Sequence, residues 1–486
     1  MGLKLEEKIA NTFRAYDIRG VYGVDLDEEL AVHLGYGIAR ALPAEKATDP
    51  SRMQVAVCRD CRTSGPALAD ALIEGLTDGG ISVLDIGEGP TPLLYYACKT
   101  AGVAGGVMIT ASHNPPDQNG FKVWLGEGNV FGDGLAQIGR LGLEGVPEAA
   151  RTGSVRKADL SGRYMDAVFE SVGAPSPSRP YRVGVDCGNG VAGPLIVPLL
   201  ERMGCEVTQV YCEPDGTFPN HHPDPTVPAN LADLAGEVRR CGCEVGLAFD
   251  ADVDRLGALE SDGRMVIPDQ LLYLFGREVA RERPGAKIIG DVKCSDAVFE
   301  MLARDGAEPI MSRTGHSFIK RRIKDEGAAL AGEMSGHFFF ADRYLGYDDA
   351  IYAACRLVAL LIEKDCSLDE ALAGFPKTAS TPELRLPCPE ERKAPVLEAL
   401  EKAIDSDADA GRHGLRGVSK IDGLRPSFED GWCLVRSSHT GPILVLRFEG
   451  MDEGALERIE RFFCAKVAEA APELSQSLSQ LLEVCV

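Results

Sequence analysis

Long apolar stretches are missing from this sequence: no run reaches the roughly 18 residues that a membrane-spanning helix requires. Its opening, MGLKLEEKIA, carries charges where a secretory signal needs an apolar segment, and Glu6 stands where a myristoylation signal needs Ser or Thr. A cytoplasmic protein without a membrane partner is expected. Basic residues are scarce as well. The 51 Lys and Arg against 74 Asp and Glu give a formal net charge of −23, a field that repels nucleic acid and anionic lipid. Nucleic acid is therefore not an expected partner, and an anionic ligand would need a local basic pocket or a metal ion. Paired cysteine motifs are also lacking. The 15 cysteines are odd in number and scattered, and Cys58 and Cys61 (C-R-D-C) have no second CxxC or HxxxH pair to complete a zinc site. Buried, reduced thiols are the expectation, for these two and for the C-G-C of Cys241 and Cys243.

What is present is enough chain for several cores: 486 residues, 45% of them hydrophobic, against a prior of about 150 residues per domain. Three β-branched runs end in polar turns: Val55 to Asp60, Val183 to Gly190 and Ile288 to Ser295. Each is followed by helical periodicity, at Pro66 to Leu76, Pro194 to Met203 and Asp296 to Arg304. This alternation builds a parallel sheet covered by helices, and three related α/β domains of this kind are expected over residues 1–157, 158–262 and 263–377. After about Lys377 the pattern changes to a proline-rich opening, a helix from about Val396 to Ile404, and strands near Trp432 and at Ile443 to Phe448. A smaller α+β domain over residues 378–486 is expected, with a surface loop at Ser406 to Gly417.

In each α/β domain an apolar strand runs into an unusual polar loop: GGVMI before Thr110 to Pro115, VGLAF before Asp250 to Arg255, and ALA before Gly332 to His337. Ligands of α/β sheets bind beyond the carboxyl ends of strands. Asp250, Asp252 and Asp254 alternate with Ala251 and Val253, so in an extended segment the three carboxylates project to one side. Hard oxygen ligands of this kind suit Mg²⁺. An EF-hand is the competing reading, but Arg255 sits where its turn needs Gly and Ser261 where its bidentate Glu belongs. Ser112 lies in T-A-S-H-N-P-P, a strand-to-loop junction that Asn114-Pro115-Pro116 forces into an extended turn. No G-x-S-x-G elbow is present, and His113 is expected on the opposite side of the chain from Ser112. Taken alone, Ser112 reads equally as a turn residue, and Lys122 as a surface lysine.

Taken together, Phe13 to Gly20 (FRAYDIRG), Thr110 to Lys122 (TASHNPPDQNGFK), Phe249 to Arg255 (FDADVDR), Gly332 to His337 (GEMSGH) and Arg436 to Pro442 (RSSHTGP) resemble the α-D-phosphohexomutases, in particular their bacterial phosphomannomutase/phosphoglucomutase branch. Gly315 to Lys320 (GHSFIK) and Phe218 to Pro225 (FPNHHPDP) are further shared segments, and the resemblance covers nearly the whole chain.

The resemblance implies reversible phosphoryl transfer between the 1- and 6-oxygens of a hexose phosphate, through a phosphoserine and a hexose 1,6-bisphosphate. It makes Ser112 the phosphoserine and, with Asp250, Asp252 and Asp254, a ligand of Mg²⁺. Lys122, His337 and Arg19 become the candidate acid/base groups, while Tyr16, His113, Arg255, Lys293 and His316 line the cleft. Glu333 and Ser335 read the sugar hydroxyls, and Arg436, Ser437, Ser438, His439 and Thr440 anchor the distal phosphate. The family usually has Asn at the position of His439 and Glu at that of Gly441. The resemblance also implies mixed sheets in the three α/β domains and a central cleft among the four domains, which carry, in order, the serine, the metal, the sugar loop and the distal phosphate. The enzyme is expected to act as a monomer or homodimer, and a flexible segment near Lys377 to Leu384 would let the bisphosphate turn round.

Three alternatives stay in view. A glucosamine phosphate mutase would differ in substrate. A serine-phosphoenzyme phosphatase would not need Glu333 or the Arg436 loop. A catalytically idle phosphosugar-binding protein would tolerate loss of Ser112.

Overall fold

The computed structural model describes residues 3–46, 53–146, 148, 152–409, 413–438 and 441–483. It divides into two compact units, Met1–Lys287 with Gly315–Ala373 and Ile288–Thr314 with Gly374–Val486.

The first unit contains two mixed sheets. In one, the strands run in the order Ile18–Val21, Gln118–Leu125, Gly105–Ile109, Gln54–Arg59, Ser82–Glu88, Val155–Lys157. The last four are parallel to one another, and Gln118–Leu125 lies antiparallel between Gly105–Ile109 and Ile18–Val21. Helices Gly65–Asp78 and Thr91–Thr100 connect the parallel strands. In the other sheet, Cys205–Val210, Tyr181–Asp186 and Val245–Phe249 are parallel, and Leu256–Leu259 and Met265–Val266 extend it antiparallel. GGVMI and VGLAF are buried along their whole length, which is why they read as unbroken apolar runs and not as alternating ones. The expected strand-to-loop junctions at Thr110 and Asp250 are therefore present. The unit also holds an antiparallel hairpin, Leu330–Gly332 with Phe338–Phe340, whose connection is GEMSGH.

Glycine matters where two loops of the second sheet meet. A Cβ on Gly190, in the VDCGNG turn, would fall 2.6 Å from the Cα of Ala251. Only a residue without a side chain lets that turn back the aspartate loop.

In the second unit, helix Asp296–Arg304 joins strands Lys287–Asp291 and Glu308–Ser312. A six-stranded antiparallel sheet follows, in the order Ala379–Ser380, Ile443–Gly450, Gly431–Ser437, Arg425–Phe428, Leu415–Ser419, with Leu384–Pro387 also on Ile443–Gly450. Val292 packs on buried Trp432 and Leu434, and Arg425 donates to the carbonyls of Val292 (3.0 Å) and Cys294 (3.2 Å).

The α/β class is as expected, and two local readings change. The helix expected from about Val396 to Ile404 runs from Glu390 to Asp409, because Pro395 lies inside it and removes one hydrogen bond without ending it. It takes up the start of the expected loop at Ser406. Residues 379–380 and 384–387 form ladders with Ile443–Gly450, so the segment Lys377 to Leu384 is tied into a sheet. The chain changes units earlier, at Ala373–Gly374.

Candidate active site

The serine loop leaves the strand Gly105–Ile109, and Ser112 sits in the left-handed region at φ 51°. For a residue with a Cβ this costs about 1–2 kcal/mol, so surrounding bonds must hold it. Thr110 Oγ1 accepts the Ser112 amide at 2.8 Å, and the Asn114 amide donates to Ala111 O at 3.0 Å. The expected extended turn is thus a tight one, and this corrects the placement of His113. Its Nδ1 lies 3.1 Å from Ser112 Oγ, on the same side of the chain. Burial, helped by Arg255 and Arg19, holds the His113 imidazole well below its ordinary pKa.

Ser112 Oγ donates to Asp250 Oδ2 at 2.7 Å. The three aspartates do converge, but through a turn and not an extended segment. Asp250 Oδ1 accepts the amides of Asp254 (3.0 Å) and Arg255 (3.1 Å), and Val253 adopts φ 67°. Carboxylate oxygens of Asp250, Asp252 and Asp254 lie within 4.8 Å of one another, all buried. Lys122 is no surface residue. It lies on the buried strand Gln118–Leu125, and its Nζ is 2.5 Å from Asp252 Oδ2 and 2.5 Å from Asp254 Oδ2. Burial opposes its charge, yet the two carboxylates raise its pKa well above the ordinary value. Burial likewise works against ionisation of Asp254, and Lys122 overrides it.

This donor set fits a hard divalent cation. Among the described residues, Asp252 Oδ1 and Asp254 Oδ1 are buried and accept no hydrogen bond, although His337 Nδ1 lies 3.5 Å from the latter. Lys122 and Arg255 bring two positive charges to three buried carboxylates, one short of balance. The other group of suitable side chains, Asp254 with His316 and Asp348, contains no cysteine either. Cys58 and Cys61 bond separately, to Gly89 O and Asn189 O, and burial raises both thiols.

Beside the acidic turn, His337 Nδ1 faces Asp254 O at 3.0 Å, and its Nε2 accepts from Arg255 Nε at 3.2 Å. Burial pushes His337 down to about 3, so the ring is neutral. It stacks on His316 at 5.5 Å between centroids. Asp348, not anticipated from sequence, gathers this edge: Oδ2 is 3.2 Å from His316 Nδ1, and Oδ1 accepts from Lys320 at 2.8 Å. Its only sequence signal is an acidic pair, Asp348 and Asp349, before the apolar helix Ala350–Lys364, which reads as a cap. Asp349 is that cap, accepting the Tyr352 amide.

Glu333 is buried, and its Oε1 accepts the Gly315 amide at 2.7 Å; Ser335 is half-buried in the same turn. Tyr16 lies edge-on to His316, 6.3 Å between centroids. Arg19 pairs with Asp17 at 2.7 Å and donates from Nη1 to Asn114 Oδ1 (3.0 Å) and Ala111 O (3.2 Å), against the serine loop.

The second unit assembles its own cationic group. Lys293 pairs with Glu383 at 3.0 Å and holds that carboxyl down to about 2. Arg436 pairs with Asp422 at 2.8 Å, and Asp422 also accepts the Thr314 amide. Ser438 O and Gly441 O both accept from Lys393, and Ser437 Oγ is 3.4 Å from Ser438 O. His439 and Thr440 lie outside the described residues.

Comparison with known proteins identifies the family. Residues 10–138, 162–263 and 267–378 match alpha/beta/alpha domains I, II and III of phosphoglucomutase/phosphomannomutase, and 383–466 match its C-terminal domain. The chain is 44% identical over 454 residues to a phosphomannomutase/phosphoglucomutase of Pseudomonas aeruginosa, covering 93% of this chain and 95% of that one. It is 44% identical over 464 residues to a phosphoglucomutase of Neisseria gonorrhoeae, covering 95% and 97%. A crystal structure of a phosphoglucomutase/phosphomannomutase family protein from Burkholderia thailandensis superposes with a TM-score of 0.86 at 40% identity, covering 95% of this chain and 98% of that one. The chain belongs to the phosphoglucomutase/phosphomannomutase family and is a phosphohexomutase of its bacterial branch.

Proposed function

We propose that the enzyme interconverts the 1- and 6-phosphates of mannose or glucose in the cytoplasm, with Ser112 as the group that carries the phosphoryl. The observation that carries this reading is the bond from Ser112 Oγ to Asp250 Oδ2, which sets a loop nucleophile on a buried acidic turn. Starting from the hexose 1-phosphate, the phosphoryl on Ser112 passes to O6: the Oγ–P bond breaks, the O6–P bond forms, and the O6 proton leaves to a side chain. The bisphosphate reverses, its 1-phosphoryl returns to Ser112, and a proton returns to O1.

Asp250, Asp252 and Asp254 would hold Mg²⁺, and the bound ion would supply positive charge that eases transfer of an anionic phosphoryl group. Lys122 is the proton carrier we favour, because it is the cation that reaches the acidic turn from the serine's own sheet. His337, neutral and bonded to Arg255, orients that arginine, and Arg19 steadies the serine loop. Glu333 and Ser335 are assigned to the sugar hydroxyls, with Tyr16, His113, His316 and Lys293 lining the cleft. Arg436, Ser437, Ser438, His439 and Thr440 are assigned to the distal phosphate. Hexose 1,6-bisphosphate is the intermediate and activator, and the active species is a monomer or homodimer.

The test is a coupled assay with mannose, glucose and glucosamine 1-phosphates, Mg²⁺ and catalytic bisphosphate, on the parent and Ser112→Ala. Conversion of the mannose or glucose ester by the parent, with little or none by Ser112→Ala, is expected. Full activity in Ser112→Ala rules out the mechanism. Phosphate release without an isomer selects the phosphatase reading, and preference for the glucosamine ester selects that mutase.

A further inference from the structure

Two stretches prominent in the sequence have no part in the chemistry so far: the C-R-D-C run, with Arg62 directly after it, and Phe218 to Pro225. Both lead to one side chain. Arg62 is fully enclosed, and its guanidinium lies 5.1 Å over the Phe218 ring. Every one of its N–H groups has an acceptor. Nε donates to Asp60 Oδ2 at 3.2 Å. Nη1 donates to Pro115 O (2.6 Å) and Gln118 O (2.9 Å), and Nη2 to Ser112 O (2.6 Å) and Asn114 O (2.7 Å). All four carbonyls belong to the loop that carries the serine.

The other side of Ser112 is held by the same group. Asp60 Oδ2 accepts from Thr110 Oγ1 at 2.6 Å, and Thr110 Oγ1 in turn accepts the Ser112 amide at 2.8 Å. The peptide groups on both sides of the left-handed Ser112 are thus tied to one ion pair, Asp60 with Arg62. A side chain serving only as packing would not need its whole fork aimed at one loop. A residue held at a strained φ keeps that conformation only where its surroundings over-determine it.

We infer that Arg62 is a positioning residue for phosphoryl transfer: with Asp60 and Thr110 it sets the direction of Ser112 Oγ, touching neither sugar nor metal. The inference rests on the reading that Ser112 carries the phosphoryl. A loop free to relax by about 1 Å loses on the order of a hundredfold in rate.

The experiment uses the full chain as Arg62→Lys and, separately, Thr110→Val. Lysine keeps the charge but has no fork, and valine removes the hydroxyl with little change in volume. Glucose 1,6-bisphosphate is the phosphoryl donor, and intact mass reports phosphate on Ser112 with time. Steady-state kcat and KM, amide exchange at residues 111–118 and the melting temperature are measured beside it. In Arg62→Lys the expected results are slower phosphate uptake, kcat lower by about a hundredfold with KM within about threefold, and faster exchange confined to the loop. Thr110→Val should lose about tenfold in kcat. Uptake and kcat per folded molecule within about threefold of the parent, in either variant, overturn the inference. If Arg62→Lys does not fold, Thr110→Val decides alone. A parent protein that takes no phosphate on Ser112 overturns the underlying reading instead.

Discussion

Ser112 Oγ reaches Asp250 Oδ2 at 2.7 Å although 138 positions separate the two residues. The other oxygen of that carboxylate closes the aspartate turn by accepting the amides of Asp254 and Arg255. One side chain therefore shapes the acidic turn and joins it to the serine loop.

Asp250→Asn should separate these duties. The amide oxygen can still accept the two backbone N–H groups, so the melting temperature should change little. The lost charge should weaken Mg²⁺ binding about 10–100-fold, on the scale seen when support around a metal is removed. Titration calorimetry with Mg²⁺ checks this, and an unchanged affinity would take Asp250 out of the ligand set.

Lys122→Met leaves Asp252 and Asp254 buried without their cation. Breaking a buried pair from one side costs about 3–5 kcal/mol. Urea denaturation in EDTA should show that loss, and saturating Mg²⁺ should reduce it, since the ion is proposed to bind the same carboxylates. An equal deficit under both conditions would mean that lysine and metal act at different places.

Asp349 provides a pH signature away from the acidic turn. Burial raises its carboxyl to about 6 despite bonds from the Tyr352 amide, Tyr164 and Tyr344. The folded protein thus holds a proton that the unfolded chain releases near pH 4. Its stabilising contribution is fully present below about pH 4 and is lost as pH rises through about 6, a span of about 3 kcal/mol. Subtracting the unfolding free energies of Asp349→Asn from those of the parent between pH 4 and 7 should reveal this slope. A flat difference would disprove it.

Glu333→Ala should raise KM for hexose 1-phosphate about tenfold, by removing both the acceptor proposed for a sugar hydroxyl and the anchor of the Gly315 amide. Glu333→Gln keeps an acceptor for that amide and should fall between alanine and the parent. Initial rates against substrate concentration decide; an unchanged KM in the alanine variant removes Glu333 from sugar binding.

The strands that deliver the chemistry were legible residue by residue, because GGVMI and VGLAF are buried on all sides and must be apolar throughout. The turns after them were not. Ser112 and Val253 take positive φ without being glycine, and a short sequence window carries no signal for that. The extended reading therefore placed His113 on the wrong side. Lys122 looked like a surface residue for a related reason: its partners lie 130 and 132 positions away. Arg62 and Asp348 escaped notice because their meaning is set by distant groups, backbone carbonyls for the one and two further basic side chains for the other.

The second unit is assembled from two separate stretches of chain, with consequences for biosynthesis. The carbonyls of Val292 and Cys294 are made long before Arg425, which caps them and comes 133 and 131 positions later. At about 5–20 residues per second, these two carbonyls wait on the order of ten seconds for Arg425. During that interval Val292 lacks the tryptophan it will pack against. Nascent chains stalled before residue 425 should accordingly leave Val292 and the carbonyls of Val292 and Cys294 open to proteases and chaperones, while the finished protein hides them.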